Sequence, residues 1–166
     1  MLCYNVMNSP VGRLTLIANN SALVAIFWQN DESNTRIRLA AASPNKKHRV
    51  LMETERQLAE YFNGQRRIFD LTMDPGGTEF QRKVWLALRR IPFGETTSYL
   101  HVAKAIGSPS ASRAVGAAIG KNPLSIVVPC HRVIGSDGKL TGFAGGLETK
   151  AELLALESKN APATAK

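Results

Sequence analysis

The sequence predicts an α+β fold in two small domains, on three observations. A β-meander opens the chain, one amphipathic helix follows it, and beyond a Pro- and Gly-containing segment the pattern becomes mostly helical. At 166 residues, 44% hydrophobic and 20% charged, the chain can bury one larger core or two small ones.

The meander is written by MLCYNV, RLTLIA and ALVAIFW, short β-prone runs separated by the turn formers NSPVG and NNS, giving a small antiparallel sheet. A polar stretch from Gln29 to His48 includes a turn at ASPN. RVLMETERQLAEYFNG then sets Val50, Leu51, Leu58, Tyr61 and Phe62 on one helical face, with Gly64 placed to stop the helix. QRRIFDLTMDPGG reads as a linker, so the domains are 1–77 and 78–166.

Thr78 and Gln81 form a capping box ahead of Phe80, Val84, Trp85 and Leu88 at helical spacing, and IPFG ends that run. A second helix spans about Ser98 to Ile106 and stops at Gly107. Ser110 is placed as the N-cap of a third helix ending near Gly120. Two short helices joined by a tight turn, the second small on one side and carrying Arg113, outline a helix-turn-helix, although any αα-hairpin writes a similar pattern. A strand-like SIVV, the segment PCHR, a hairpin around GSDG, the loop TGFAGG and a last helix with Leu147, Ala151 and Leu154 on one side follow. The tail from about residue 160 to 166 is expected to fray.

No apolar run reaches the roughly 18 residues of a membrane span. MLCYNVMNSP lacks the basic start and apolar stretch of a signal peptide, so a cytoplasmic protein is expected. The two cysteines, Cys3 and Cys130, are too few for a disulfide framework and read as free thiols. Net charge is +8 and unevenly placed: to Gly77, 9 Lys plus Arg face 7 Asp plus Glu, whereas from Thr78 onward 12 face 6. The basic half suggests a polyanionic partner, most simply nucleic acid, although basic surfaces also serve solubility.

Cys130 poses the chemical question. A free thiol titrates near pH 8.5 and burial lowers its thiolate fraction further, so a nucleophilic cysteine needs a base, itself oriented by a carboxylate or amide. His131 is adjacent, but in extended backbone consecutive side chains diverge. Either the strand ends before Cys130 or a water bridges the pair. Glu79, Glu95, Asp137, Glu148, Glu152 and Glu157 are candidates for the orienting carboxylate, and spacing does not choose among them. Taken singly, Cys130 reads as a small core residue, His131 as a satisfied polar group at a strand end and Arg132 as a surface charge.

PCHRVIGSDG, TEFQRKVWLALRRIPFGETTSY, SRAVGAAIGKNP and KLTGFAGGLETK resemble, in order and spacing, the O6-alkylguanine-DNA alkyltransferases, suicide DNA-repair proteins. The resemblance covers essentially residues 78–157, and NSPVGRLTLIA is similar to the family's usual start. It implies a ribonuclease H-like N-terminal domain and a winged-helix-like C-terminal domain holding the helix-turn-helix. It implies transfer of the alkyl group from O6-alkylguanine, and from O4-alkylthymine, in duplex DNA irreversibly to Cys130, without a cofactor and without a metal. Only Cys3 and His48 precede residue 78 as Cys or His, too few for a closed zinc site. A monomer with no obligate protein partner is expected.

Carried residue by residue, the resemblance makes His131, through a water, and Glu157 the relay that takes the thiol proton. Asn122 becomes a hinge tying the backbone turns, and Tyr99 a hydrogen-bond donor toward the departing guanine. Arg113 takes the place of a flipped nucleotide, beside Ala114, Gly116 and Ala117, small residues that let the helix lie close to a groove, and Ser136 completes the DNA contacts. Val133, Phe143, Ala144 and Gly145 line the base pocket, with Ile119 at its edge. Phe143 stands where many relatives carry tyrosine, and Ser112 replaces a frequent alanine. Two other classes are compatible with parts of the pattern: a module that binds alkylated DNA or regulates without transfer, and a multiple-turnover cysteine hydrolase.

Overall fold

A computed structural model describes residues 1–31 and 38–161. Residues 32–37, within the polar stretch after the meander, and 162–166, within the tail expected to fray, lie outside the described residues. The chain divides into two compact units, Met1–Gly76 and Gly77–Lys166.

In the first unit β1 (Leu2–Ser9), β2 (Gly12–Ala18) and β3 (Leu23–Trp28) form the meander. Ser9 pairs with Gly12 across the first turn, where Gly12 takes φ +105°. Leu14, Leu16 and Ile17 of the inner strand β2 are fully buried, and each such side chain contributes about 2 kcal/mol of transfer free energy. The sheet is mixed rather than antiparallel, in the order β3-β2-β1-β4, because β4 (Ala42–Pro44) runs parallel to β1. A strand that returns after a long connection is free to take either direction, whereas a tight turn permits only antiparallel pairing. ASPN, expected as a turn, supplies this strand; its Pro44 sits at the sheet edge, where a missing N–H costs nothing. The turn comes at Asn45–His48 instead.

Helix α1 (Arg49–Phe62) packs on the sheet through Val50, Leu51, Leu58 and Tyr61. The His48 imidazole caps its start by accepting from the Val50 N–H at 3.2 Å, and Gly64, at φ +76°, ends it. Gln57 is buried on the same face because its amide makes a two-way bond with the Asp70 backbone, at 3.0 and 2.9 Å.

The second unit begins with α2 (Glu79–Arg89), which carries the expected capping box: Thr78 N–H to Gln81 Oε1 at 2.9 Å and Gln81 N–H to Thr78 Oγ1 at 3.1 Å. Gly77 precedes it at φ +81°, and a Cβ there would lie 2.6 Å from the Trp85 ring. β5 (Thr97–Ser98) leads into α3 (Tyr99–Ala105) and then α4 (Ser112–Gly120), the helix-turn-helix pair. Trp85 fastens α4 to α2 by donating from Nε1 to the Ala118 carbonyl at 2.8 Å. Ser110 is not the N-cap of α4. Ala111 N–H closes a turn onto the Ser108 carbonyl, which draws Ser110 into that turn, and Ala111 takes the cap position without a side-chain bond.

SIVV is not a strand. Val128 N–H returns to the Leu124 carbonyl at 2.8 Å and Ile126 takes φ +74°, so the run folds into a buried loop. A short apolar run records burial, and strand and loop bury it equally well. GSDG does form its turn, with Gly135 N–H on the Lys139 carbonyl at 2.8 Å, but β6 (Val133–Ile134) pairs in parallel with β5 instead of with a following strand. The last helix, α5 (Leu147–Asn160), buries Lys150, Leu153 and Glu157; Leu147 and Ala151 face solvent. Two charged groups are inside because each finds polar partners there, which an apolar pattern cannot signal.

Candidate active site

The buried loop 124–128 is shaped by Asn122, whose side chain accepts from Leu124 N–H at 3.0 Å and donates from Nδ2 to the Val128 carbonyl at 2.9 Å. Cys130 N–H follows onto the same Val128 carbonyl at 2.8 Å. Cys130 then opens a 3-10 turn, Cys130–Arg132. Cys130 and His131 therefore do not lie on a strand, and the three side chains fan out at about 120° per residue instead of alternating.

Cys130 is a free thiol, 6% exposed. Burial pushes the thiol up, and hydrogen bonds from the Asn122 and Ser125 side chains, with the nearby Lys150 charge, work against that rise. His131 is fully buried; its Nε2 lies 2.6 Å from Glu157 Oε2. Burial lowers the imidazole and outweighs the carboxylate's pull, so the ring is neutral near pH 7. Glu157 is 0% exposed. Burial opposes its ionisation, but hydrogen bonds from His131 and Arg132 win and bring the carboxyl down to about 2. A carboxylate only accepts, so Nε2 of His131 carries the proton and Nδ1 keeps its lone pair. Nδ1 is a buried side-chain nitrogen without a hydrogen-bond partner among the described residues.

Arg132, read as a surface charge from the sequence, is 5% exposed and grips Glu157 with two nitrogens, Nε to Oε1 at 2.7 Å and Nη2 to Oε2 at 3.1 Å. Its Nη1 donates to the Ile91 carbonyl at 2.6 Å, and its guanidinium lies 5.7 Å from the Phe93 ring centre. Lys150, 1% exposed, donates to the carbonyls of Val133 at 2.7 Å and Thr141 at 3.1 Å. Burial depresses its ammonium, and proximity to Cys130 acts in the opposite sense.

The remaining sequence candidates fall into three groups. Tyr99, the first residue of α3, bonds Thr141 Oγ1 through its hydroxyl at 2.6 Å, and its ring lies beside Gly116, 3.7 Å from where a Cβ would sit. Arg113, Ala114 and Ala117 share the exposed face of α4, and Ser136 is exposed at the GSDG turn. Val133 is buried and tied to Lys150, Ile119 is buried near the end of α4, Phe143 and Gly145 are half-buried on the loop before α5, and Ala144 is exposed. The structure thus forms two hydrogen-bonded sets, Asn122 with the Cys130 loop and His131 with Glu157, joined through the adjacent backbone of Cys130 and His131. Arg132, at Glu157, and Ser125 and Lys150, beside Cys130, were missed by sequence reasoning as members of these sets. A helical-wheel reading of Lys150, Leu153 and Glu157 as one stripe was the available signal. Among the described residues no group of three or more His, Cys, Asp or Glu is placed to hold a metal ion.

Both units match known sequence families: residues 2–75 the 6-O-methylguanine DNA methyltransferase ribonuclease-like domain, and residues 79–159 the 6-O-methylguanine DNA methyltransferase DNA binding domain. The chain is 45% identical over 164 residues to a methylated-DNA–protein-cysteine methyltransferase of Mycolicibacterium paratuberculosis, covering 99% of this chain and 97% of that one. It is 46% identical to the protein of that name from Methanosarcina barkeri, covering 95% and 98%. Its fold superposes on the Mycobacterium tuberculosis O6-methylguanine methyltransferase with TM-score 0.87 at 44% identity, covering 98% of this chain and 96% of that one. The Mycobacterium tuberculosis OGT structure in complex with DNA gives 0.86 at 45% identity, covering 96% and 95%.

The two family matches and the relatives' names define a class of proteins that transfer methyl groups from DNA to a protein cysteine, and this chain carries a free, buried cysteine, Cys130, in its DNA binding domain. The chain belongs to the 6-O-methylguanine DNA methyltransferase family.

Proposed function

We propose that the protein removes the alkyl group from O6-alkylguanine in duplex DNA by transferring it to Cys130. The carrying observation is geometric: His131 Nε2 lies 2.6 Å from Glu157 and its buried Nδ1 has no partner among the described residues, so a carboxylate at Glu157 places the ring proton on Nε2 and leaves Nδ1 as a proton acceptor. The thiol proton passes to Nδ1 through a bridging water, and the imidazolium forms beside a carboxylate already held by Arg132. The sulfur then attacks the alkyl carbon in line; the C–S bond forms, the C–O bond breaks, and the electron pair leaves with guanine. Tyr99 donates a hydrogen bond to that leaving group. The product is a thioether without a carbonyl for water to attack, so each molecule acts once.

Arg113 fills the space of the flipped nucleotide, and the small exposed face formed by Ala114 and Ala117 allows α4 to lie close to a groove. The basic C-terminal half neutralises phosphates, so log affinity falls with log salt by about 0.9 per contact. No cofactor, metal or partner subunit takes part.

The test is the intact mass after incubation with O6-methylguanine DNA. The expected result is a stoichiometric gain of one methylene on Cys130, absent in Cys130→Ala. No adduct points to a binding module instead, and methyl release beyond one equivalent points to a hydrolase; either overturns the reading.

A further inference from the structure

The hydroxyls of Tyr99 and Thr141 lie 2.6 Å apart, on α3 and on the loop that precedes α5. Among the described residues each is the other's hydrogen-bond partner and neither hydroxyl has a second. Thr141 is itself anchored, because Lys150 holds its carbonyl at 3.1 Å while holding Val133 at 2.7 Å, and Val133 pairs with Thr97 two residues before Tyr99. The ring of Tyr99 has Gly116 along one side. One phenol position is thus fixed by three separate elements.

Two hydroxyls in contact hold two protons, and only one of these can lie between the oxygens. If Tyr99 donates to Thr141, the phenol proton is used up inside the protein. If Thr141 donates to Tyr99, the phenol proton is free for an outside acceptor, and the phenol is a better donor for having accepted a bond, since chained hydrogen bonds polarise one another.

We propose that Thr141 is a positioning residue for Tyr99: its hydroxyl donates to the phenol oxygen while the phenol proton turns to the departing guanine, so that the pair reverses direction when the base enters. No covalent bond changes and no proton leaves the pair. This rests on the proposed alkyl transfer and on the role of Tyr99 in it.

The test is the single-turnover rate on duplex O6-methylguanine DNA for the wild type, Thr141→Val, Thr141→Ser, Tyr99→Phe and the Tyr99→Phe/Thr141→Val double variant, with iodoacetamide labelling of Cys130 alongside. Valine keeps the shape of threonine and the backbone carbonyl that Lys150 holds. Thr141→Val is expected to slow transfer by about three- to tenfold, the worth of one hydrogen bond, and Thr141→Ser to restore it. Iodoacetamide labelling, which has no guanine leaving group, stays at the wild-type rate. In the Tyr99→Phe background the valine substitution has no further effect, because Thr141 acts through the phenol. A Thr141→Val rate equal to wild type, effects that multiply in the double variant, or a matching loss in iodoacetamide labelling overturns the inference while leaving alkyl transfer intact. A wild-type protein that takes up no methyl group overturns the proposed function as well.

Discussion

Glu157→Gln is the substitution that most directly tests the buried centre, since it removes one charge and almost no volume. The wild-type carboxylate accepts from His131 at 2.6 Å and from Arg132 at 2.7 and 3.1 Å, all in a region closed to water. Its carboxyl is depressed from 4.5 to about 2, and at 1.36 kcal/mol per unit this corresponds to about 3 kcal/mol of folding free energy. An independent route gives a similar size, because breaking a buried ion pair from one side leaves the guanidinium uncompensated at about 3–5 kcal/mol. A group whose folded pKa lies below its unfolded value stabilises above the unfolded pKa and loses that effect as pH falls through the folded one. The difference between wild type and Glu157→Gln is therefore full at pH 7 and shrinks between about pH 4.5 and 2. Urea unfolding of a Trp28→Phe background, in which buried Trp85 is the remaining tryptophan, reads it by fluorescence: with a slope of about 1.5 kcal/mol per M, the midpoint falls by about 2 M at pH 7. The imidazolium also loses its counter-charge, so methyl transfer slows by about 100-fold. Equal midpoints at pH 7, or a difference that does not change toward pH 2, would refute the account of Glu157.

Lys150→Met leaves the Val133 and Thr141 carbonyls without their donor and costs about 2 kcal/mol, read by the same urea midpoints; it also removes a cation beside the thiol, so iodoacetamide labels Cys130 more slowly at fixed pH. Burial raises the thiol, so the pH midpoint of labelling of the DNA-free protein lies above the ordinary value of 9.0, and a midpoint at or below 9.0 contradicts this. Because the folded thiol lies above the unfolded one, its contribution to stability is complete below the unfolded pKa and declines as pH rises past it. Gly77→Ala forces φ +81° on a residue with a Cβ and drives that carbon into Trp85; thermal unfolding of the variant shows a loss of about 1–3 kcal/mol. Arg113→Ala lowers the transfer rate from a duplex lesion by about tenfold with little change toward free O6-benzylguanine, and equal loss on both substrates removes the stacking role.

Much of the architecture was legible because it is set by local rules. The Thr78/Gln81 box, the Ser98 start of α3 and the glycines at 64 and 107 are decided by backbone donors that need a partner and by φ values that only glycine takes readily. Where the reading failed, the deciding contact was a side-chain bond that hydropathy does not record. SIVV had the composition of a strand, yet its conformation follows from Asn122 reaching Val128 six residues on and from Ile126 turning to positive φ. The helix face of α5 was misread because Lys150 and Glu157 are inside, satisfied by groups 17 and 25 residues away.

By itself the sequence determined the α+β class, the capped starts of α2 and α3 and the family to which Cys130 and its neighbours belong, since these depend on neighbouring residues and on a motif carried in order. Spacing left six carboxylates open and the resemblance pointed to Glu157; that Arg132 is buried against that carboxylate and that Thr141 holds the Tyr99 hydroxyl were decided by the tertiary structure alone. Those are pairings between charged or polar groups on separate elements, and they exist only once packing has removed the water that would otherwise take their place.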